Sequence, residues 1–182
     1  MKRVIGIAVL CGIIGLLVAP TSAKEVAVKA GGALYFGDDV SYGGAVAVDV
    51  PTPFLEGRIF VSPFVDIYPF GGPSDSNVKI GAGGVSVLYK ALAGEGVHVY
   101  GGVGGGMGQV RFQDESKSGG MFAVMGGLQY AATEKISVFA QGKFLAIMTD
   151  DIRVGTVVGN RATFEGPKKF TVQAGIAFNV GQ

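Results

Sequence analysis

The sequence is poor in the residues from which catalytic, metal and disulfide sites are usually built. It contains a single cysteine, Cys11, a single histidine, His98, and no tryptophan. This set cannot supply the usual nitrogen and sulfur ligands of a zinc site. Charged residues make up 16% of the chain, against about 25% in ordinary globular proteins. We therefore expect no metal, no cofactor and no disulfide framework.

Long apolar runs are also scarce. The longest covers residues 4–19, follows two basic residues and precedes small residues around Ala23. This order is typical of a secretory signal peptide. The run is too short for the roughly 20 apolar residues of a membrane helix, and Pro20 interrupts it. We predict that residues 1–23 are a cleaved signal peptide and that residues 24–182 form one domain.

The composition of the predicted mature domain combines low charge with high hydropathy. Removing Lys2 and Arg3 leaves 13 basic and 14 acidic residues, so nothing in the charge balance favours nucleic acid as a partner. The whole chain has 32 glycines and a mean hydropathy of +0.44, yet no helical membrane segment follows residue 23. A lipid-facing β-barrel explains this combination, because alternation spreads apolar residues along strands.

Apolar residues recur with a period of two through the mature domain. The clearest stretch is residues 170–180, where every second residue from Phe170 to Val180 is apolar. Seven earlier stretches follow the same pattern, at residues 25–35, 40–50, 58–70, 78–90, 97–112, 121–131 and 136–147. Each strand and its connection take about 20 residues, which suits membrane-spanning strands of about 9–11 residues. We predict an all-β, eight-stranded antiparallel up-and-down transmembrane β-barrel.

Two of these stretches contain predicted irregularities. Pro63 and Pro69 lie in the third stretch, and proline cannot donate a hydrogen bond to the strand ladder, so we expect a bulge there, at Pro63 above all. In the fourth stretch the apolar positions change from even to odd numbers, which predicts one extra residue near Gly83 and Gly84.

The connections alternate in length and so give the barrel a direction. Short connections near residues 51–54, 93–96 and 133–135 are typical of periplasmic turns, and longer ones near residues 71–77, 113–119 and 149–165 of external loops. Only the first external turn, at Asp38 and Asp39, is tight. In the longest loop, Gly159-Asn160 resembles a hairpin turn between strand-forming residues, which predicts that the last two strands extend beyond the membrane as a ribbon.

Aromatic residues fall near both ends of the predicted strands, as expected for the two interfacial girdles of a membrane barrel. The predicted external girdle contains Tyr35, Phe36, Tyr42, Phe70, Phe112, Phe122 and Phe170. The predicted periplasmic girdle contains Phe54, Tyr89, Tyr130 and Phe178.

Charged residues of both signs fall on the faces opposite the apolar ones, which predicts a charged interior. The inward set is Glu25, Lys29, Asp49, Arg58, Asp66 and Lys143. We expect these charges to pair in the lumen, because an unpaired buried charge is costly. The same arrangement disfavours the competing fold, a soluble lipocalin-type barrel, which would have charge outside and apolar residues within.

The segment GGVGGGMG places Gly102, Gly104, Gly106 and Gly108 on one face of the fifth strand. It is not a phosphate-binding loop, because no helix pattern or GK[ST] follows it. The four glycines predict a groove along the interior. Either larger side chains such as Phe60, Phe64 and Tyr68 fill this groove, or it is space for a ligand; filling suits a barrel of eight strands.

His98 is the only candidate for acid–base catalysis, and its position predicts an inward or interfacial side chain near the periplasmic end. Catalysis would need a nucleophile and an acidic partner within reach. Outer-membrane lipid deacylases carry a serine two residues after the histidine, whereas this chain has Tyr100 there. We therefore expect no enzyme and assign no catalytic, cofactor-binding or metal-binding residue.

Three segments carry a family resemblance: YGGVGGGMG, MGGLQYAATEKISVFAQGKF and the final GIAFNV. With them the mature domain resembles the small bacterial outer-membrane β-barrels, the opacity-protein-like and OmpA-type transmembrane domains. The resemblance implies a location in the cell outer membrane, contact with outer-membrane lipids and insertion by the barrel assembly machinery.

Three functions remain open from the sequence. The first is a structural or surface-interaction protein with a mostly filled interior, in which the loop at residues 149–165 contacts a surface partner. The second is a narrow channel or a hydrophobic-ligand conduit along the glycine groove. The third, which we regard as the weakest, is a lipid-modifying enzyme that uses His98.

Overall fold

The structure is a computed structural model that describes residues 26–36, 40–71, 78–112, 115–148, 152–155, 161–164 and 168–180. The predicted signal peptide, Glu25, the turn at Asp38 and Asp39, and Gly159-Asn160 lie outside these ranges. Within them, no helix is long and apolar enough to cross a membrane.

Ten strands and one short helix make up the described chain. The strands are β1 (Val26–Phe36), β2 (Val40–Pro51), β3 (Ile59–Gly71), β4 (Val78–Gly94), β5 (Val97–Phe112), β6 (Glu115–Ala131), β7 (Ile136–Met148), β8 (Ile152–Gly155), β9 (Arg161–Phe164) and β10 (Lys168–Val180). A 3-10 helix, Phe54–Gly57, joins β2 to β3. Strands β1–β7 and β10 pair with their neighbours in antiparallel order, and β1 closes on β10. The predicted eight-stranded barrel is confirmed.

The alternation in the sequence becomes an apolar outer wall and a lumen of mixed polarity. On β1, Val28 and Leu34 point outward, while Lys29 and Ala33 are buried in the lumen. Strand β7 alternates in the same way, with Val138 exposed and Phe139 buried. Large apolar side chains therefore remain exposed all round the barrel, which is the reverse of a soluble barrel.

The two ends of the barrel differ. Connections at residues 52–58, 95–96 and 132–135 share one end, here called the turn end. The opposite end is called the ribbon end. There β7 ends and β10 begins, and the β8–β9 pair lies between them in the sequence. Exposed aromatic residues mark both ends, with Phe36, Tyr42, Phe122 and Phe170 toward the ribbon end and Phe54, Tyr89, Tyr130 and Phe178 toward the turn end. These eight positions agree with the predicted girdles, whereas the side chains of Tyr35, Phe70 and Phe112 lie outside the described part of the structure.

The bulge in β3 lies at Pro69 rather than at Pro63. The register of β2 on β3 shifts between Tyr42 and Gly44, where Tyr68 and Pro69 lie opposite Gly43 alone. A Cβ at Gly43 would lie 2.8 Å from the Tyr68 Cα, so only glycine fits against the bulged backbone.

At Pro63 the register does not shift, and that prediction is wrong. Pro63 pairs with Val85 on the β4 side in unbroken register. On the β2 side, Val61 and Phe64 pair in one common register, but the ladder between these two strands has no pair at Ser62 or Pro63. A missing N–H therefore interrupts the ladder locally and inserts no residue.

The predicted bulge at Gly83 and Gly84 is also wrong. Strand β4 keeps one register through both glycines, against β3 and against β5. Ile80 and Ala82 instead point into the lumen and are 6% and 5% exposed. The apolar positions change parity because this part of the lumen is apolar, so an apolar residue there does not mark the outer face.

The predicted long loop at residues 113–119 is mostly strand. Strands β5 and β6 remain paired as far as Phe112 and Glu115, which leaves two residues to connect them. Between β7 and β10 the chain forms a separate antiparallel pair, β8 and β9, with Ile152 opposite Phe164 and Gly155 opposite Arg161, and not a continuation of the two barrel strands.

Candidate functional site

Five charged side chains are buried together in the lumen. They come from five strands, with Lys29 on β1, Asp49 on β2, Asp66 on β3, Lys90 on β4 and Lys143 on β7. None is more than 8% exposed. Each lies on the inward face because it alternates with apolar residues of the outer wall.

Asp49 is the centre of the first charged group. Its Oδ2 lies 2.7 Å from the Lys29 Nζ and 2.6 Å from the Lys90 Nζ. The Ser62 hydroxyl donates to its Oδ1 at 2.7 Å. The Lys90 ammonium also donates to the Gln129 Oε1 at 3.3 Å. One carboxylate thus serves two ammonium groups, and both of its oxygens are engaged.

Asp66 is the centre of the second group. Its Oδ2 accepts a hydrogen bond from the Lys143 Nζ at 2.7 Å. The Gln173 side-chain amide donates to Asp66 Oδ1 at 3.3 Å and to the Tyr68 hydroxyl at 3.2 Å. Strands β3 and β7 are separated by three strands on either side of the closed barrel. The Asp66–Lys143 ion pair therefore crosses the bore from one wall to the opposite one.

A chain of amides connects the two groups. The Gln141 amide donates to the Gln173 Oε1, and the Tyr100 hydroxyl donates to the Gln141 Oε1 at 2.9 Å. The Tyr100 ring in turn lies over Lys29, with the ammonium 4.2 Å from its centroid. The polar layer is therefore continuous across the lumen.

Each buried ammonium also faces an aromatic ring. The Lys90 Nζ lies 4.3 Å from the centroid of the Phe60 ring, and the Lys143 Nζ lies 4.0 Å from that of Phe64. Cation–π attraction at such distances strengthens as water is removed. The rings thus partly replace the hydration that burial takes from the lysines.

Apolar side chains occupy much of the remaining lumen, including Phe64, Tyr68, Met125, Leu145 and Ile147. The glycine groove on β5 is filled by side chains of other strands at Gly102, Gly104 and Gly108, whereas Gly106 is exposed. A Cβ at Gly102 would lie 2.7 Å from the Leu88 Cδ2, and one at Gly108 would lie 2.6 Å from the Ile147 Cδ1. Phe64 and Tyr68, two of the predicted filling residues, are buried in the same cluster, and Phe60 packs against it.

The structure confirms the predicted inward position for four charged residues and contradicts it for one. Lys29, Asp49, Asp66 and Lys143 are inside and paired, as predicted. Arg58 is not inside.

Arg58 instead lies in the connection between the 3-10 helix and β3, with 55% of its side chain exposed and the Glu56 carboxylate 3.8 Å away. A hydrogen bond with Tyr89 raises the pKa of its guanidinium. The prediction for Arg58 failed because β3 begins at Ile59, so the alternation does not extend to residue 58.

Sequence reasoning missed Lys90, which is 8% exposed in the lumen. The alternation in the sequence could have identified it, because Val87 and Tyr89 are apolar and Lys90 follows on the opposite face of the strand.

His98 is half-buried near the turn end, on the same face of β5 as Tyr100. It pairs in register with Leu92 on β4 and Gln129 on β6. Within the described ranges, no three histidine, cysteine or acidic side chains are grouped as metal ligands. The chemistry of the lumen is that of satisfied ion pairs, since the Asp49 and Asp66 carboxylates are both held by ammonium groups.

Comparison with known proteins shows similarity in structure but not in sequence. No family model and no curated protein sequence matches the chain. Neisserial surface protein A superposes with a TM-score of 0.63 at 12% identity, covering 88% of this chain and 98% of that one. OprG of Pseudomonas aeruginosa gives a TM-score of 0.62 at 13% identity, with coverage of 88% and 97%.

A third similar structure is Ail, the attachment invasion locus protein of Yersinia pestis, in complex with the heparin analogue sucrose octasulfate. Its TM-score is 0.53 at 14% identity, and the match covers 86% of this chain and 97% of that one. The chain therefore has the fold of the small eight-stranded outer-membrane β-barrels, along nearly the whole length of each.

Proposed function

We propose that the protein is an outer-membrane β-barrel with a closed lumen, which acts as a structural or surface-interaction protein through its ribbon end. The observation that carries this proposal is the Asp66–Lys143 ion pair, 2.7 Å long, which joins opposite walls of the bore. A lumen crossed by paired charges and packed with apolar side chains supports anchoring better than transport.

The remaining parts of the proposal concern how the protein reaches its place. The segment of residues 1–23 directs export and is removed, and the barrel assembly machinery inserts residues 24–182. The apolar outer wall, with exposed Val124, Leu128 and Ile176 between the two aromatic girdles, then contacts outer-membrane lipid. The turn end faces the periplasm and the ribbon end faces outward.

Conductance separates this proposal from the narrow channel. Purified protein is refolded into lipid vesicles, its folded state is verified by migration on gels with and without heating, and the vesicles are fused with a planar bilayer. We expect no stable single-channel steps, because the ion pairs and the apolar cluster close the bore. Reproducible steps of one size from the folded fraction would overturn the closed-lumen proposal.

The ribbon is the proposed contact surface. Its eight strand residues include Arg153 and Arg161 and no acidic residue. Arginine binds sulfate and phosphate groups through paired hydrogen bonds. The similar barrel Ail was crystallised with sucrose octasulfate. We therefore propose a sulfated or phosphorylated polyanion on a neighbouring surface as the partner chemistry.

Sucrose octasulfate is the probe for this contact. The double substitution Arg153→Gln and Arg161→Gln should weaken its binding to the refolded barrel by at least about tenfold, as expected for the loss of two charge-assisted contacts. Arg58→Gln is the control, because Arg58 is exposed at the other end. Equal affinities for the double variant and the wild type would remove the ribbon from the proposal.

A further inference from the structure

The four methionines of residues 24–182 differ in where their side chains lie. Met121 and Met125 of β6 point into the lumen, where they belong to the apolar cluster and are 3% and 7% exposed. Met107 of β5 and Met148 of β7 point outward and are 64% and 66% exposed. Two thioethers are therefore open to the surroundings of the barrel, and two are enclosed by it.

Met107 and Met148 lie on either side of one glycine. Gly120 of β6 pairs in register with Met107 on β5 and with Met148 on β7. The spacing of neighbouring strands places the two methionine Cα atoms about 10 Å apart. A Cβ at Gly120 would meet no atom within 4 Å, so no side chain covers the wall between the two thioethers. We call Met107, Gly120 and Met148 the methionine row.

The methionine row lies at the border between the apolar wall and the polar ribbon end. On the side of the turn end, the next outward residue of β6 is Phe122 of the aromatic girdle. On the side of the ribbon end, the next outward pair is Gln109 and Ser118, which are both polar. Aromatic girdles lie at the level where membrane meets water. The two sulfur atoms are therefore on the water side of the girdle, where a dissolved reagent reaches them.

We propose that Met107 and Met148 form a modification site, at which hydrogen peroxide oxidises both thioethers to sulfoxides while the barrel stays folded. In each reaction the sulfur forms a bond to one peroxide oxygen as the O–O bond breaks. The proton of the transferred oxygen passes to the leaving hydroxide, which departs as water. The sulfur loses two electrons and the peroxide gains them. The site is separate from the proposed contact surface, because neither methionine belongs to β8 or β9.

The surroundings of each methionine pair determine what a sulfoxide costs. A sulfoxide is polar and accepts hydrogen bonds, and in the methionine row water satisfies this acceptor. Inside the apolar cluster the same oxygen would be buried at Met121 or Met125, and burying an unpaired acceptor is costly. Oxidation is thus tolerated in the methionine row and opposed in the lumen.

Peptide mass spectrometry measures the four sites separately. Folded barrel in lipid vesicles is treated with hydrogen peroxide, quenched and digested, and the gain of one oxygen at each methionine is followed with time. Met107 and Met148 should be oxidised at least about tenfold faster than Met121 and Met125, because oxidation follows exposure. In the urea-unfolded chain the four rates should converge, which assigns the difference to the fold. Four similar rates in the folded barrel would overturn the proposal.

A methionine placed in the apolar band tests the position of the methionine row. Leu128 is 54% exposed on the outer face of β6, between the girdle residues Phe122 and Tyr130. In vesicles, the new side chain of Leu128→Met should be oxidised at least about tenfold more slowly than Met107, because the hydrocarbon core holds no water to carry the oxidant. Equal rates at residues 107 and 128 would place the methionine row inside the apolar band and contradict the proposal.

The urea midpoint tests whether the fold tolerates the modification. Barrel that carries both sulfoxides should unfold at the same midpoint as untreated barrel. The double variant Met107→Leu and Met148→Leu conserves volume on the outer wall and should gain no oxygen under the same conditions. Met125→Leu, in the lumen, is the matched control and leaves both outer sites as reactive as in the wild type. A midpoint that falls with oxidation in the wild type but not in the double variant would show that the fold does not tolerate the sulfoxides.

Discussion

Asp66 and Lys143 show what a buried ion pair demands of a closed barrel. Each is at most 2% exposed, and the ammonium group has one carboxylate partner and one ring. Removing one charge from such a pair is more damaging than removing both, since the survivor is left in the lumen.

Asp66→Asn should therefore reduce the free energy of unfolding by about 3–5 kcal/mol. Asparagine keeps an acceptor for the Gln173 amide, so the loss reports the charge rather than the hydrogen bond. The measurement is urea unfolding in lipid vesicles. Adding Lys143→Met should restore much of the stability, and Glu56→Gln, at an exposed pair, should change it by less than about 1 kcal/mol. Additive effects of the two lumen substitutions would contradict this account.

Alternation alone predicts which residues of a strand face the lumen, but only between the first and the last residue of that strand. Lys29, Asp49, Asp66 and Lys143 are inside because each lies within a regular strand. Arg58 precedes β3, so its predicted face was wrong. The alternation did not predict which of these charges form ion pairs, because the pairing depends on how far strands such as β3 and β7 are separated around the barrel.

The strands themselves were predictable where the two faces differ in polarity and less so elsewhere. In β4, Ile80 and Ala82 face an apolar part of the lumen, and this removes the contrast on which alternation depends. In β5 and β6 the strands continue to Phe112 and Glu115 through polar residues that resemble a loop. Toward the ribbon end Ile80 and Val110 are buried in the lumen while Lys79 and Ser118 are exposed, so an apolar residue there does not mark the outer wall.

Pro63 is a weak point of β3 that substitution should repair. It points outward and interrupts the β2–β3 ladder without changing the register. Pro63→Val restores an N–H donor and places a β-branched residue on the outer wall, so we expect the free energy of unfolding to rise by about 1 kcal/mol. Val87→Pro on β4, where Val61 and Val103 pair on either side, is the matched control and should be strongly destabilising. A lower urea midpoint for Pro63→Val would show that the proline matches a needed bend.

The whole molecule has its polarity reversed relative to a soluble barrel, with ion pairs inside and valine, leucine and phenylalanine outside. The exposed aromatic residues mark two rings around this wall, and the apolar band lies between them. The same architecture explains why stability does not require a cysteine: closure gives every barrel strand two paired neighbours.

A charge placed on the outer wall distinguishes a membrane barrel from a soluble one. Val124 is 42% exposed on β6, between the girdle residues Phe122 and Tyr130 of the same strand, whereas Tyr130 itself lies in the girdle at the turn end. In lipid vesicles Val124→Arg should cost about 2–4 kcal/mol and Tyr130→Arg about 0–1 kcal/mol from the charge itself, because the penalty depends on depth in the bilayer. Urea midpoints of the two variants measure this difference. In a soluble barrel both positions face water, so similar and small losses at the two sites would contradict a membrane-spanning wall.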